Sequence, residues 1–282
     1  MLFFFPDYSS KHQASLRRNF IMNMLLTVSS MLFPLVTFPY VSRILLPAGY
    51  GKVSFATSVI SYFTMFAQLG IPVYGIRTCA QVRDDTALLF KTVREIFFLN
   101  LITTALSYLA FAGALFAIPR LGEEKPLLVL LSLNILLGTL GMEWLYKALE
   151  QYTYITLRSL FFKLLALAAT FLFIHNPDDV LIYGGISIFA ASASNLLNFL
   201  NLPRMFQLSP SAFFLPGCPL ARLKKHLKAA LTFFAMACAT TVYTNLDTVM
   251  LGFLTSDTQV GYYTAAVKMN YILISLVTSL GA

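Results

Sequence analysis

Long apolar segments recur from one end of the chain to the other, and no other feature limits the possible folds as much. A helix crosses a hydrocarbon core of roughly 30 Å with about 20 apolar residues, which is the length of these segments. They lack the alternation of apolar and polar residues that a membrane-spanning barrel requires. With 58% hydrophobic and only 11% charged residues, the chain is predicted to be an all-α integral membrane protein. We expect about eight transmembrane helices, at 19–41, 53–73, 94–118, 126–146, 156–174, 179–201, 229–253 and 260–282.

The connection at 202–228 is the longest between predicted spans, contains four prolines and ends in a basic run. A Gly-Tyr pair begins at Gly49, after the first span, and again at Gly261, after the seventh, 212 positions later. This weak similarity favours a parallel internal repeat. We therefore expect a six-helix transmembrane lobe over 1–201, a cytoplasmic linker over 202–228, and the first two helices of a second lobe over 229–282. On this interpretation the second lobe is incomplete and the chain is truncated.

The 20 Lys and Arg residues are distributed unequally between the two sides of the predicted bundle. Fifteen fall on the side of the N-terminus, four on the other side, and Lys268 lies within a span. Because short cytoplasmic loops carry an excess of basic residues, the N-terminus is predicted to be cytoplasmic and the protein to lie in the cell membrane. The net charge of +8 then reflects orientation and attraction to anionic membrane lipid, and it requires no nucleic-acid partner.

Polar residues recur at helical spacing along several spans, as Asn19, Asn23, Thr27, Ser30 and Thr37 do in the first. Such residues can simply pack helices closely. Amides and charges as well as hydroxyls fall on these faces, however, which favours a shared hydrophilic cavity. The candidates for contact with a substrate or a coupling ion are Asn23, Arg43, Gln68, Glu143, Lys147, Asn198, Asp247 and Lys268.

Asp247 and Lys268 are ionisable residues inside predicted spans, each on the order of 10–13 Å below the outer surface. An unpaired charge at that depth costs several kcal/mol, so the two residues are predicted to pair. The pair could be a structural anchor. Alternatively, an incoming pyrophosphate could compete for Lys268 and free Asp247 to take up a proton or a cation.

The stretch "GMEWLYKALEQYTY" carries Glu143, Lys147 and Glu150 at positions that share one helix face, which predicts an ion-pair ladder. Trp144 and Tyr146 in the same stretch are typical of an aromatic belt at the membrane interface. Arg43 lies at the predicted outer mouth of the first span. It could reach lipid headgroups or meet a phosphate.

Sequence motifs of the common enzyme classes are absent, including a Walker motif, a dinucleotide fingerprint, HExxH and a nucleophile elbow. The three cysteines and three histidines are scattered, so we expect neither a metal site nor a cofactor. With no ATP-binding domain, uphill transport would use a gradient of H⁺ or Na⁺. We predict a transporter and not an enzyme.

Three stretches of the chain resemble the Wzx-type oligosaccharide flippases of the multidrug/oligosaccharidyl-lipid/polysaccharide exporter superfamily. They are "LFPLVTFPYVSRILLPAGYGKVSFATSVISYFTMFAQLGIPVYGIR", "MEWLYKALEQYTYITLRS" and "FFAMACATTVYTNLDTVMLG". The resemblance extends from about Arg17 to Ala282 and implies two six-helix lobes around a central cavity. It also implies that undecaprenyl-pyrophosphate-linked sugar units move from the inner to the outer leaflet by alternating access.

In related flippases, basic cavity residues are expected to hold the pyrophosphate, and Lys268 and Arg43 are the positional candidates here. Leu46 departs from the family, which usually has glycine at this position. One alternative is an ion-coupled drug or metabolite antiporter of the same superfamily. Another is a membrane glycosyltransferase or polymerase. Such an enzyme would require a large external loop with carboxylates, whereas the predicted external loops are short.

Overall fold

A computed structural model describes residues 16–206 and 220–280, and these residues form eleven helices. In chain order the helices are α1 (Leu16–Ile44), α2 (Leu46–Gln68), α3 (Ile71–Gln81), α4 (Thr86–Ala117), α5 (Pro119–Glu123), α6 (Lys125–Gly141), α7 (Glu143–Ala148), α8 (Tyr152–Phe173), α9 (Val180–Phe206), α10 (Leu220–Leu254) and α11 (Asp257–Leu280).

Seven helical stretches among the described residues are long and apolar enough to cross a membrane. They coincide with the first seven predicted spans, and the all-α integral membrane class is confirmed. The eighth predicted span, 260–282, coincides with α11, whose side chains are described only as far as residue 270. Helices also extend into both ends of the predicted linker, and residues 207–219 of that linker lie outside the described part of the chain.

Two of the seven spans are broken by left-handed backbone. Leu69 (φ 44°) and Gly70 (φ 73°) separate α2 from α3, and Met142 (φ 40°) separates α6 from α7. At the first break, a Cβ on Gly70 would overlap the backbone of α10 at Phe234 and Ala230. Glycine is therefore required at this position both by its backbone conformation and by the close approach of α10.

The polar connections gather at two separate ends of the bundle. At one end Lys52 pairs with Glu124 at 2.7 Å, Arg120 pairs with Asp257, and Gly49 lies against the loop before α9. At the other end Arg83 pairs with Glu150 at 2.7 Å. We call these the Lys52 end and the Arg83 end. They contain the two groups of loops that the charge distribution assigned to opposite sides of the membrane, and which end faces the cytoplasm stays a prediction.

Arg158 and Lys163 are two of the fifteen basic residues counted on the side of the N-terminus, and their side chains lie inside the bundle. Both lie within the span predicted from residue 156 and within α8, which begins at Tyr152. Arg158 is only 2% exposed, with its guanidinium 5.2 Å from the centre of the Tyr154 ring. The two residues are thus part of the bundle interior and not of a flanking loop.

Helices α2 and α11 cross at glycines. A Cβ on Gly51 would overlap the backbone carbonyl of Asp257, and a Cβ on Gly261 would overlap that of Pro47. The two contacts are reciprocal, because Pro47 and Gly51 are spaced along α2 as Asp257 and Gly261 are along α11. Gly51 and Gly261, which are 210 positions apart, therefore occupy equivalent places at the crossing. The internal repeat inferred from the sequence had instead matched Gly261 with Gly49, at 212 positions.

Candidate functional site

A cavity of about 860 Å³ lies between α1, α2, α8, α9 and α11, with α7 contributing to its wall. Its volume is within the range of roughly 300–1,000 Å³ that is usual for small-molecule sites. Hydroxyl groups supply most of its polar lining, from Thr27, Ser30, Thr37, Tyr50, Ser54, Thr57, Ser58, Ser159, Tyr183, Ser187 and Thr264. The charged side chains in its wall are Glu143, Lys147, Lys163 and Lys268.

The polar stripe of the first span explains why α1 forms one wall of this cavity. Asn23, Thr27, Ser30 and Thr37 recur at steps of three, four and seven residues, and all four line it together with Pro34. Serine and threonine side chains on this helix also hydrogen-bond back to carbonyls three or four residues earlier, as Thr27 does to Asn23. A hydroxylated face is thus accommodated in an apolar helix without leaving its donors unpaired.

The third predicted span also carries polar residues on one face, namely Asn100, Thr104 and Ser107. They have a different role, because on α4 they form hydrogen bonds to neighbouring helices. Asn100 Nδ2 donates to the carbonyl of Ala67 at 2.8 Å, and Ser107 Oγ donates to that of Phe63 at 2.7 Å. Thr104 lies 2.7 Å from Thr139 on α6. These residues are buried away from the cavity and hold α4 against α2 and α6.

Lys163 is the cavity residue that the sequence analysis missed. Its Nζ donates hydrogen bonds to Ser30 Oγ at 2.7 Å and Ser29 Oγ at 3.1 Å, across from α8 to α1. No described carboxylate forms an ion pair with it. The signal that could have found it is the spacing of Ser159 and Lys163, which places both on one helix face.

Lys268 lies in the aromatic part of the cavity. Its Nζ is 5.0 Å from the centre of the Tyr50 ring and 5.5 Å from that of Phe38. An aromatic face attracts a cation, which partly offsets the loss of hydration. Among the described side chains it has no ion-pair partner.

The predicted pairing of Asp247 with Lys268 is wrong. Asp247 is exposed on α10, outside the cavity lining, and it accepts a hydrogen bond from the hydroxyl of Tyr263 on α11 at 2.6 Å. Tyr263 and Lys268 are five residues apart, which is a rotation of about 140° around the helix. When α11 presents Tyr263 to Asp247, it therefore turns Lys268 away, towards α1 and α2.

The short helix α7 brings a close ion pair to the cavity. Lys147 Nζ lies 2.7 Å from Glu143 Oε1, as the spacing of four residues predicted. The third member of the predicted ladder, Glu150, does not join them. It lies beyond the end of α7 with a φ of 57° and binds Arg83 and Asn19 instead.

Trp144 and Tyr146 do not form an aromatic belt, because both are buried in the bundle. Trp144 packs so closely on Gly75 that a Cβ there would approach the indole ring to 2.7 Å. Tyr146 donates a hydrogen bond to the carbonyl of Asn198 at 2.7 Å. These contacts anchor α7 to α3 and α9, which fixes the position of Glu143 and Lys147 in the cavity wall.

Besides Asp247, three of the candidate residues lie outside this cavity. Arg43 is exposed in the last turn of α1. Gln68 lies near Gly138 of α6, and Asn198 is fully buried beside Tyr146. The structure therefore brings four of the eight predicted residues together, namely Asn23, Glu143, Lys147 and Lys268, and adds Lys163.

Besides the ion pair of α7, the cavity wall holds two lysines, Lys163 and Lys268, that form no ion pair with a described carboxylate. A cleft with cationic groups and low-dielectric walls attracts anions. Within the described residues no group of three or more His, Cys, Asp or Glu side chains could hold a metal ion. The cavity is therefore suited to a ligand that has an anionic group and also hydroxyl groups or rings.

Comparison with known proteins gives the chain a family. The family model described as "Polysaccharide biosynthesis protein" matches residues 16–282. An Escherichia coli (strain K12) protein named "Putative O-antigen transporter" is 23% identical over 256 residues, covering 90% of this chain and 60% of that protein. A Shigella dysenteriae protein of the same name is 22% identical over 270 residues, covering 94% and 65%. The chain thus spans less than two thirds of the length of these relatives. No solved structure matches it significantly.

Proposed function

The chain belongs to the polysaccharide biosynthesis protein family, and on this premise we propose that it is a flippase for lipid-linked oligosaccharide units. The family resemblance expected from the sequence is confirmed by the match over residues 16–282. The named relatives are described as transporters and not as enzymes. The substrate in this proposal is an undecaprenyl-pyrophosphate-linked oligosaccharide, moved from the inner to the outer leaflet of the cell membrane.

The observation that carries the proposal is the pair of cavity lysines without a carboxylate partner among the described residues, Lys163 and Lys268. An ammonium group buried in a membrane protein is costly unless it faces water or a counter-ion. A pyrophosphate supplies several anionic oxygens that ammonium groups can bind through charge-assisted hydrogen bonds. The lysines would bind this group, while the serine bonds of Lys163 hold its side chain in place before the substrate arrives.

The rest of the lining is suited to sugar. Serine and threonine hydroxyls both donate and accept hydrogen bonds, as sugar hydroxyls do. Tyr50 and Tyr183 stand side by side in the wall with ring centres 6.5 Å apart and offer apolar faces to a sugar ring. The lipid tail would remain between the helices, in the hydrocarbon phase.

Alternating access needs two bodies that can rock against each other. In this proposal α1–α9 form the first lobe, and α10 and α11 begin the second. The glycines at the crossing of α2 and α11 allow the backbones to approach closely at the Lys52 end. That crossing would be the closed side of the cavity and the pivot of the movement. A proton or Na⁺ would drive the cycle, with Glu143 as a group in the cavity wall that could take part.

The test uses the complete gene product in a strain that lacks its own O-antigen flippase. Lys163→Gln combined with Lys268→Gln should lower surface polysaccharide at least tenfold and cause lipid-linked sugar to accumulate, at unchanged membrane abundance. The matched control is Lys125→Gln combined with Lys224→Gln, which removes two lysines outside the cavity. Normal surface polysaccharide in the cavity variant would overturn the proposal. A loss of drug export without sugar accumulation would favour an antiporter.

A further inference from the structure

A second cavity, of about 610 Å³, lies at the Arg83 end between α3, α4 and α10. It shares no lining residue with the cavity of the proposed transport site. Its floor is a buried polar network, and its rim is basic. The role proposed for the first cavity makes no use of it.

The floor is a chain of four side chains from three helices. The Tyr74 hydroxyl lies 2.6 Å from His226 Nδ1, and His226 Nε2 lies 2.9 Å from Glu95 Oε2. Arg222 Nη1 donates to the other oxygen of Glu95 at 3.1 Å. The His226 ring thus links the Tyr74 hydroxyl to Glu95. Glu95 is the one carboxylate among the described lining residues, and it is already bound on both oxygens.

The rim carries a surplus of positive charge. Arg77 on α3, Lys91 on α4 and Lys225 on α10 are exposed, and all three line the cavity beside Arg222. None of the three forms an ion pair with a described carboxylate. Like charges that converge from three helices raise the local positive potential, which attracts an anion to the space between them.

The position of the cavity indicates the kind of anion. It lies where three membrane-spanning helices reach the Arg83 end, which we expect to lie at the depth of the lipid headgroups. Basic pockets between transmembrane helices at that depth bind phosphate headgroups. We infer that this cavity is a binding site for the phosphate headgroup of an anionic membrane lipid, with Arg77, Lys91 and Lys225 as the contacts to phosphate.

The network below the rim gives the site a rigid base. His226 and Arg222 are on α10, while Tyr74 and Glu95 are on α3 and α4. A bound phosphate would bring Lys225 together with Arg77 and Lys91 and so join α10 to the first lobe more firmly. Lipid binding should therefore stabilise the protein as well as occupy the site.

The experiment is native mass spectrometry of the purified complete protein, with phosphatidylglycerol or phosphatidylcholine added in detergent. The variant is Arg77→Gln combined with Lys225→Gln. Its matched control is Lys224→Gln combined with Lys228→Gln, which removes the same charge from exposed positions of α10 outside the cavity. We expect the cavity variant to bind phosphatidylglycerol about thirtyfold more weakly than wild type, the effect of two interfacial cations. The control should bind as wild type does.

A second arm separates a lipid headgroup from a soluble phosphate. Inorganic phosphate and pyrophosphate are added to protein in phosphatidylcholine nanodiscs, and the melting temperature is measured. Phosphatidylglycerol should raise it in wild type and control but not in the cavity variant, and millimolar phosphate should leave it unchanged. Equal phosphatidylglycerol binding by both double variants would overturn the inference. It would also be overturned if soluble phosphate bound through Arg77 and Lys225 while the lipid did not.

Discussion

The hydroxyl of Tyr263 donates a hydrogen bond to Asp247 at 2.6 Å, and it takes the place that Lys268 was expected to fill. The rotation of α11 that allows this contact also turns Lys268 about 140° away from Tyr263. There it meets the rings of Tyr50 and Phe38. The same orientation of α11 thus accounts for the contact outside the cavity and for the side chain that enters it.

This relationship predicts which pairs of substitutions are coupled. Asp247→Ala and Tyr263→Phe should show a coupling energy of about 0.5–1 kcal/mol, because each removes the same hydrogen bond. Asp247→Asn and Lys268→Gln should be additive within about 0.5 kcal/mol. The measurement is a double-mutant cycle of unfolding in detergent. Strong coupling between Asp247 and Lys268 would mean that the two residues pair after all.

The close crossing of α2 and α11 predicts that the stability of the protein depends strongly on the size of the residues at the two glycine positions. Gly51→Ala and Gly261→Ala should each destabilise the protein by about 3 kcal/mol or more, because the added carbon meets backbone that cannot move aside. Gly113→Ala on α4 is the control, since no atom lies within 4 Å of its added carbon. The free energy of unfolding of the Gly113→Ala variant should rise by up to about 1 kcal/mol. Thermal unfolding in detergent compares the three, and equal melting temperatures would contradict the close crossing.

Leu46 begins α2 with a φ of 59°, a left-handed conformation that costs a residue with a Cβ about 1 kcal/mol. Its side chain is 51% exposed, so little burial is lost on shortening it. Leu46→Gly should therefore raise the free energy of unfolding, whereas Leu46→Val should lower it, because a branched Cβ is less tolerated at positive φ. A melting temperature that falls for Leu46→Gly would show that the packing of Leu46 outweighs the backbone cost.

Orientation can be tested by labelling single cysteines with a membrane-impermeant reagent in intact cells. Asp178→Cys should be labelled, and Arg83→Cys and Lys224→Cys should be labelled only after permeabilisation, since all three positions are exposed. Arg158 is unsuitable as a reporter because it is buried. The background variant lacks Cys79, Cys218 and Cys238. Labelling of Arg83→Cys but not of Asp178→Cys in intact cells would reverse the orientation.

Local features of the sequence predicted much of this protein correctly. An apolar run of about 20 residues is helical in a membrane whatever its neighbours are, because backbone groups cannot remain unpaired there. The stripe of Asn23, Thr27, Ser30 and Thr37 and the pair of Glu143 and Lys147 depend only on the rotation of 100° per residue within one helix. Each was readable from spacing alone, and the structure places them all in the cavity wall.

The tertiary structure decided how each helix is rotated about its own axis, and spacing within a helix does not contain that angle. The rotation follows from contacts such as the glycine crossing of α2 and α11 and the bond between Asp247 and Tyr263. It turned the stripe of α4 into a helix junction and buried Asn198. It also brought Lys163 and Lys268 into one cavity, where neither forms an ion pair with a described carboxylate. The sequence determined which faces are polar, and only packing determined which polar faces meet, because helix rotation is set by the fit of neighbouring surfaces.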